Sequence, residues 1–278
     1  MAGKMKKRFI IIASVLAVSI LCGCVKLNVN VTKPADGGDT PNFPQLTSVD
    51  YDLSRYDEDK TKYFDCHGNT WSLTKDSEKD YPKLAAALKD IDDNEKKFFN
   101  DSLEQYDSEA KEFVEENKKN GYDGGSYECY ADTGLAVADP KVVSLVKSQE
   151  TFFGGAHPDD ITIAFNIDSQ SGQLIPLSAV VSDKKGLNAL LKNKLVEQYT
   201  DHAFFGLDES LDALGMAQAQ YDYNSNYTEK PQYIYSFAPD GMTFYFNPAI
   251  LSPSSDGGEQ VYLSYDELAN VLDNRFKP

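Results

Sequence analysis

Ile161-Thr162-Ile163-Ala164-Phe165-Asn166-Ile167-Asp168 is the stretch that decides the fold class. Ile161, Ile163, Phe165 and Ile167 alternate with Thr162, Ala164 and Asn166, a period of two that predicts a strand burying one face. Upstream, residues 126–138 and 141–153 are rich in Val, Tyr, Leu and Phe and break at Asp139-Pro140, which reads as a hairpin. Downstream, a turn at 169–172 sends the chain back through 174–177. Helices are predicted over about 185–199 and 209–218, and strands resume at 233–237 and 242–246 across the turn Pro239-Asp240-Gly241.

Ahead of the strands the period is helical. Tyr81, Leu84, Leu88 and Ile91 recur at spacings of three and four, with Asp80 placed to cap and Pro82 tolerated in the first turn. From about residue 94, Phe98, Leu103, Tyr106, Ala110, Phe113 and Val114 form a looser stripe that stops at Asn120-Gly121. Two amphipathic helices fit, as does one kinked helix, and their lysines and glutamates read as a solvated face. Near the end, Ser264 with Glu267 forms a capping box, Leu263 and Leu268 hold the staple positions, and Leu268, Val271 and Leu272 face a core. The expected class is α+β: mostly antiparallel sheet packed with several helices, since strands run in hairpins rather than alternating with helices.

The first residues carry an export signal. Lys4, Lys6, Lys7 and Arg8 precede an uncharged run over 9–21, which as a helix spans roughly 20 Å against a ~30 Å hydrocarbon core. Small residues follow, as cleavage requires. Leu21-Cys22-Gly23-Cys24 resembles the bacterial lipobox, in which the cysteine becomes a lipid-bearing first residue; an ordinary secretory signal is the alternative. The expected organisation is a leader over 1–23, a lipid-anchored tether rich in Gly and Pro over 24–47, an α+β part over 48–150 and a second over 151–278. The expected location is the outer face of the bacterial cytoplasmic membrane, held by lipid on Cys24. In an oxidising compartment Cys66 and Cys129 are left to pair as a disulfide, with two buried free thiols as the alternative.

Charge narrows the partners. With 27 Lys and Arg against 44 Asp and Glu the formal net charge is −17, and removing the leader takes away basic residues only. Such a chain repels nucleic acid and attracts basic proteins. Catalytic signatures are missing: no GxSxG, P-loop, HExxH or GxGxxG, and only three histidines, His67, His157 and His202. Asp222-Tyr223-Asn224-Ser225-Asn226 starts like a calcium loop, but Tyr227 stands where Gly is needed. No metal, cofactor or enzymatic activity is expected, and a monomer is.

Two segments are candidate ligand contacts. Thr151-Phe152-Phe153-Gly154-Gly155-Ala156-His157-Pro158 joins two strands, and Gly154 and Gly155 permit a sharp turn presenting His157; a purely structural turn is the alternative. Tyr221, Tyr223 and Tyr227 offer large contact area at low entropy cost, unless they are incidental tyrosines in a polar loop.

Phe152-Phe153-Gly154-Gly155-Ala156-His157, the 161–168 strand, Ser171-Gly172-Gln173-Leu174-Ile175-Pro176-Leu177, Pro239-Asp240-Gly241-Met242-Thr243-Phe244-Tyr245-Phe246-Asn247-Pro248 and Val261-Tyr262-Leu263-Ser264-Tyr265-Asp266-Glu267-Leu268 together carry a family resemblance. They resemble the extracellular domain shared by RsiV-type lysozyme-sensing anti-sigma factors and the region preceding the catalytic domain of PdaC-type peptidoglycan deacetylases. The likeness runs from about Thr151 onward, and Trp71-Ser72-Leu73 with Tyr81-Pro82-Lys83-Leu84 resembles the companion domain that precedes it. The resemblance implies a noncatalytic envelope module, which in the anti-sigma factors binds lysozyme. Here Ala249 and Pro253-Ser254-Ser255 depart from the aromatic and Pro-Tyr-Ala step usual after Phe246-Asn247-Pro248, so a different ligand surface is expected. The reading is a cell-surface lipoprotein that binds lysozyme, another basic protein or wall glycan. The alternatives are a wall-glycan enzyme using His157 with Asp159 or Asp160, and a structural scaffold.

Overall fold

The computed structural model describes residues 43–122, 125–217 and 231–276. The leader, Cys24 and Tyr221, Tyr223 and Tyr227 lie outside the described residues. Two sheets organise the rest. The first has six strands: β1 (Leu46–Asp52), β2 (Arg55–Tyr56), β3 (Lys62–Leu73), β4 (Tyr127–Ala138), β5 (Val142–Phe152) and β6 (Asp159–Asp168). Its order is β1-β3-β4-β5-β6, with β2 also on β3, and only β3 and β4 are parallel. Such a pair needs a crossover, which α1 (Lys75–Asp80), α2 (Pro82–Gln105) and α3 (Asp107–Lys119) supply.

α2 and α3 pack on the inner face of this sheet. Leu84 and Leu88 meet Val143, Leu145, Ile163 and Ile167, while Phe99, Leu103, Ala110 and Val114 meet Phe64, Cys66 and Cys129. The helical stretch is thus two helices, broken at Tyr106 rather than near residue 94. Gly121, at φ +77°, ends the second in the left-handed region glycine favours.

The second sheet, β7 (Ile234–Ala238), β8 (Gly241–Phe246) and β9 (Glu259–Ser264), is an antiparallel meander. Around it lie α4 (Leu177–Val180), α5 (Lys184–Gln198), α6 (Leu207–Ala213) and α7 (Tyr265–Leu268). Leu187, Leu191, Leu195 and Leu211 bury against Phe237, Phe244, Leu263 and Leu268. The capping box at Ser264 and Glu267 is present, although α7 runs for a single turn before Val271 and Leu272 bury separately.

This second sheet covers half of the outer face of the first. Asn166 Nδ2 donates to the Tyr235 carbonyl at 2.6 Å, and Phe237 N donates to Ser144 Oγ at 3.1 Å. Val142 joins the core beneath it. The consequence corrects one expectation: β6 buries both faces from Ile163 to Ile167, because Ala164 and Asn166 point under the second sheet. The division expected at 150/151 falls inside β5, and Pro41–Pro278 is one compact unit. The tether expected to run to residue 47 gives way to β1 at Leu46.

Cys66 and Cys129 face each other in register across β3 and β4, both buried and both free thiols. In the structure the alternative to the expected disulfide is seen, two free thiols in the core under Phe99 and Leu103.

Candidate functional site

The half of the outer face that the second sheet leaves uncovered carries a concentration of carboxylates. In a strand, alternate residues share a face, so Asp65 and His67 on β3, Glu128 and Tyr130 on β4, Glu150 on β5 and Asp160 on β6 project to the side opposite Cys66 and Cys129. Register turns these into rows. His67 lies beside Tyr130, Tyr130 beside Glu150 and Glu150 beside Asp160, with Asp65 beside Glu128 in the next row. At the usual strand spacing the four-strand row spans roughly 15 Å.

Local contacts fix the basic and aromatic end of this patch. Asp65 Oδ1 lies 3.0 Å from Lys62 Nζ and 3.2 Å from His67 Nδ1. The His67 and Tyr130 rings stand 4.6 Å apart. Burial would raise the Asp65 carboxyl, but its hydrogen bonds to Lys62 and His67 outweigh that and hold it below the usual range.

At the other end a hydrogen bond between Tyr130 and Glu128 gives relief that is outweighed. Burial pushes the Glu128 carboxyl up, and the Asp65 charge adds to the rise. Glu150 is likewise raised by burial, then by the charges of Asp160 and Glu128 and a hydrogen bond to Asp160. Burial and the surrounding carboxylates also raise the Tyr130 phenol. Like charges directly opposite on neighbouring strands destabilise a sheet. Carboxyls shifted by burial and by neighbouring charge at one spot make this face the candidate functional surface.

The β5–β6 hairpin loop stands at the end of this face. Phe153 stacks on Tyr106 at 4.6 Å, and Phe152 contacts Phe113 at 6.0 Å, so the two phenylalanines anchor the loop to the α2–α3 break and to α3. Gly154 takes φ +79° over Tyr127, where a Cβ would come within 2.8 Å of the phenol oxygen. Gly155 faces open space. His157 is exposed, with Nδ1 3.0 Å from the Pro158 carbonyl. Asp160 pairs with Glu150 rather than with His157. The loop therefore places Gly154, Gly155 and His157 beside the acidic face without joining them to it by hydrogen bonds.

His202 serves elsewhere: its Nδ1 lies 3.1 Å from buried Glu259, to which Ser252 Oγ also donates. Among the described residues no group of three His, Cys, Asp or Glu side chains is arranged to hold a metal ion. None of the described helices is long and apolar enough to cross a membrane.

Asp65, Glu128, Tyr130 and Glu150 escaped sequence reading. Their alternation with buried residues was visible, but their convergence depends on the parallel β3–β4 register, which no local pattern encodes.

Residues 72–159 match the family model described as deacetylase PdaC, a span that includes β4, β5 and the crossover helices. This match lies mostly before Thr151, whereas the motifs quoted above cluster after it. Two crystal structures share the fold. A DUF3298 family member from Bacteroides fragilis superposes with a TM-score of 0.55 at 16% identity, covering 83% of this chain and 94% of that one. A DUF3298 family protein from Pseudomonas aeruginosa PAO1 gives 0.50 at 13% identity, covering 84% and 97%. No curated protein matches the chain. The chain thus carries a PdaC-type segment within a fold like that of DUF3298 family proteins.

Proposed function

We propose that this is a noncatalytic envelope protein, held outside the cytoplasmic membrane by lipid on Cys24, whose acidic outer sheet face binds a basic protein of the lysozyme type. The PdaC-type segment supports an extracellular, cell-wall-related setting. The observation that carries the ligand class is the open, two-row cluster of Asp65, Glu128, Glu150 and Asp160, in which Glu128 and Glu150 are raised by burial and by neighbouring carboxylates. A cationic partner would relieve that repulsion, and Tyr130 beside His67 would supply an aromatic anchor at the rim. Complementary charge would speed encounter and make affinity fall with salt.

The test is calorimetric titration of the protein with a basic lysozyme at low and moderate salt, beside an unrelated protein of similar charge. Selective binding that survives moderate salt and weakens at least tenfold in Glu128→Gln/Glu150→Gln supports the reading. Binding that is nonselective, or equal in the double variant, removes this face from the account.

A further inference from the structure

The outer edges of β6, β7 and β9 each carry partners on main-chain groups that face away from their sheets. On β6, Asn247 closes Thr162 from both sides: its Oδ1 accepts from the Thr162 N–H at 2.7 Å, and its Nδ2 donates to the carbonyl at 3.2 Å. Farther along the same edge, Ile175 N donates to Asn166 O at 2.7 Å and Asp168 N to Gln173 O at 2.8 Å. On β9 the Tyr199 hydroxyl does the same to Gln260, accepting from its N–H at 2.8 Å and donating to its carbonyl at 3.1 Å. On β7, Asn166 and Ser144 take the Tyr235 carbonyl and the Phe237 N–H. Sealing of this kind is how sheet proteins prevent unwanted pairing.

β1 is different. Thr74 N donates to Gln45 O at 2.8 Å and Leu53 N to Cys66 O at 2.7 Å. In an antiparallel ladder this phase turns the odd residues of β1 toward β3. The N–H and C=O groups of Leu46, Ser48, Asp50 and Asp52 therefore point outward. Apart from a 3.5 Å contact from the Thr47 hydroxyl to the Ser48 carbonyl, none of these groups meets a partner among the described residues. Beside this edge, between β3 and α2 and reaching β1 at Val49, lies a groove of 410 Å³ lined by Val49, Thr70, Leu73, Ala85, Leu88 and Asp92. Val49 leaves 40% of its surface exposed there.

We propose that the open edge of β1 is a strand-docking site, taking as an added strand an extended segment of a second protein, apolar at alternate positions and basic at its ends. Main-chain hydrogen bonds to Ser48 and Asp50 would hold the segment, and alternate side chains would enter the groove. The charge of the rim selects the basic ends. Lys79, Lys89 and Lys96 are already paired with Asp76, Asp93 and Asp92, while Asp50 and Glu78 carry no ion pair among the described residues. A second copy of this chain fits poorly, because edge-to-edge pairing would set Asp50 and Asp52 of both copies together. This site is separate from the acidic face, and either can stand without the other.

The probe is the end-capped heptapeptide Lys-Val-Thr-Val-Thr-Val-Lys, with a glutamate-flanked version as control, added to the full chain. Affinity is read by calorimetry and amide exchange by NMR. Saturable binding, at least tenfold slower exchange at Ser48 and Asp50, and weaker binding of the glutamate-flanked peptide are expected. Ser48→Pro removes an outward N–H and leaves the β3 ladder whole, so it should weaken binding at least tenfold. Should that variant fail to fold, Asp50→Lys decides, with a loss of threefold or more expected. The proposal is overturned by absence of saturable binding, by equal binding to a folded variant, or by protection confined to β6 or β9. Slow exchange at Ser48 and Asp50 without peptide also overturns it: if independent of protein concentration, the residues before Phe43 hold the edge, and if dependent, a second copy does.

Discussion

Lys147 Nζ lies 2.9 Å from Glu95 Oε2, with side-chain exposures of 0% and 1%. The pair joins β5 to α2, and the Tyr51 hydroxyl of β1 donates to Glu95 Oε1 at 2.6 Å, tying three elements at one carboxylate. Burial pushes the Lys147 ammonium down, and Glu95 opposes it. Burial, followed by the Glu95 charge, pushes the Tyr51 phenol up.

Removing one partner strands the other charge. Lys147→Met is expected to destabilise the fold by about 3–5 kcal/mol, whereas Lys147→Met with Glu95→Leu and Tyr51→Phe should recover most of that loss. Urea unfolding of the two variants measures it. Equal destabilisation would mean that the cluster stabilises the fold beyond the cost of burying its charges.

Glu128 and Glu150 give the acidic face a pH signature. A carboxyl raised in the folded state holds more protons folded than unfolded just above its ordinary value of 4.5, so stability falls as pH rises through that interval. Glu128→Gln and Glu150→Gln should each stabilise the protein at neutral pH by roughly 0.2–1 kcal/mol and flatten this fall. Thermal melts between pH 4 and pH 8, on the order of a unit apart, follow it.

The two loop glycines separate. Gly154→Ala must accept φ +79° and crowd the Tyr127 phenol, so a loss of about 1–2 kcal/mol is expected. Gly155→Ala meets nothing within 4 Å and should stay within about 0.5 kcal/mol of the parent. Chemical denaturation of both variants provides the comparison.

Cys66 and Cys129 should resist alkylation in the folded protein and both react once it is unfolded. A hydrogen bond between the two thiols, then burial, raises the Cys129 thiol and leaves little thiolate to react. Peptide mapping after alkylation gives the answer, and a bridged peptide from unreduced protein would reverse the assignment.

The strands with strict local patterns were legible. Residues 126–138 and 141–153 became β4 and β5 to within a residue or so, and the Pro239-Asp240-Gly241 turn joins β7 to β8. β3 was not foreseen, because His67-Gly68-Asn69 interrupts its strand-forming residues. Gly68 sits there for room, since a Cβ would strike the Ala131 carbonyl and the Tyr51 hydroxyl. β9 was hidden by the capping box that ends it, which drew Leu263 into the reading of the helix beyond. Of the candidate contacts, Gly154, Gly155 and His157 lie beside the acidic face, whose own carboxylates no local signal marked.

The parallel seam between β3 and β4 also sets an order of assembly. β4, β5 and β6 are neighbours in sequence and can pair through short turns, whereas β3 must wait until the helical crossover has been made and compacted. Closing a long loop before any contact rewards it slows that step. Pulse-labelled exchange during refolding is therefore expected to find the β4–β6 meander protected first. The β1–β3 hairpin arrives afterwards, so the half of the sheet with the open edge spends longest as a nascent chain unshielded from its neighbours.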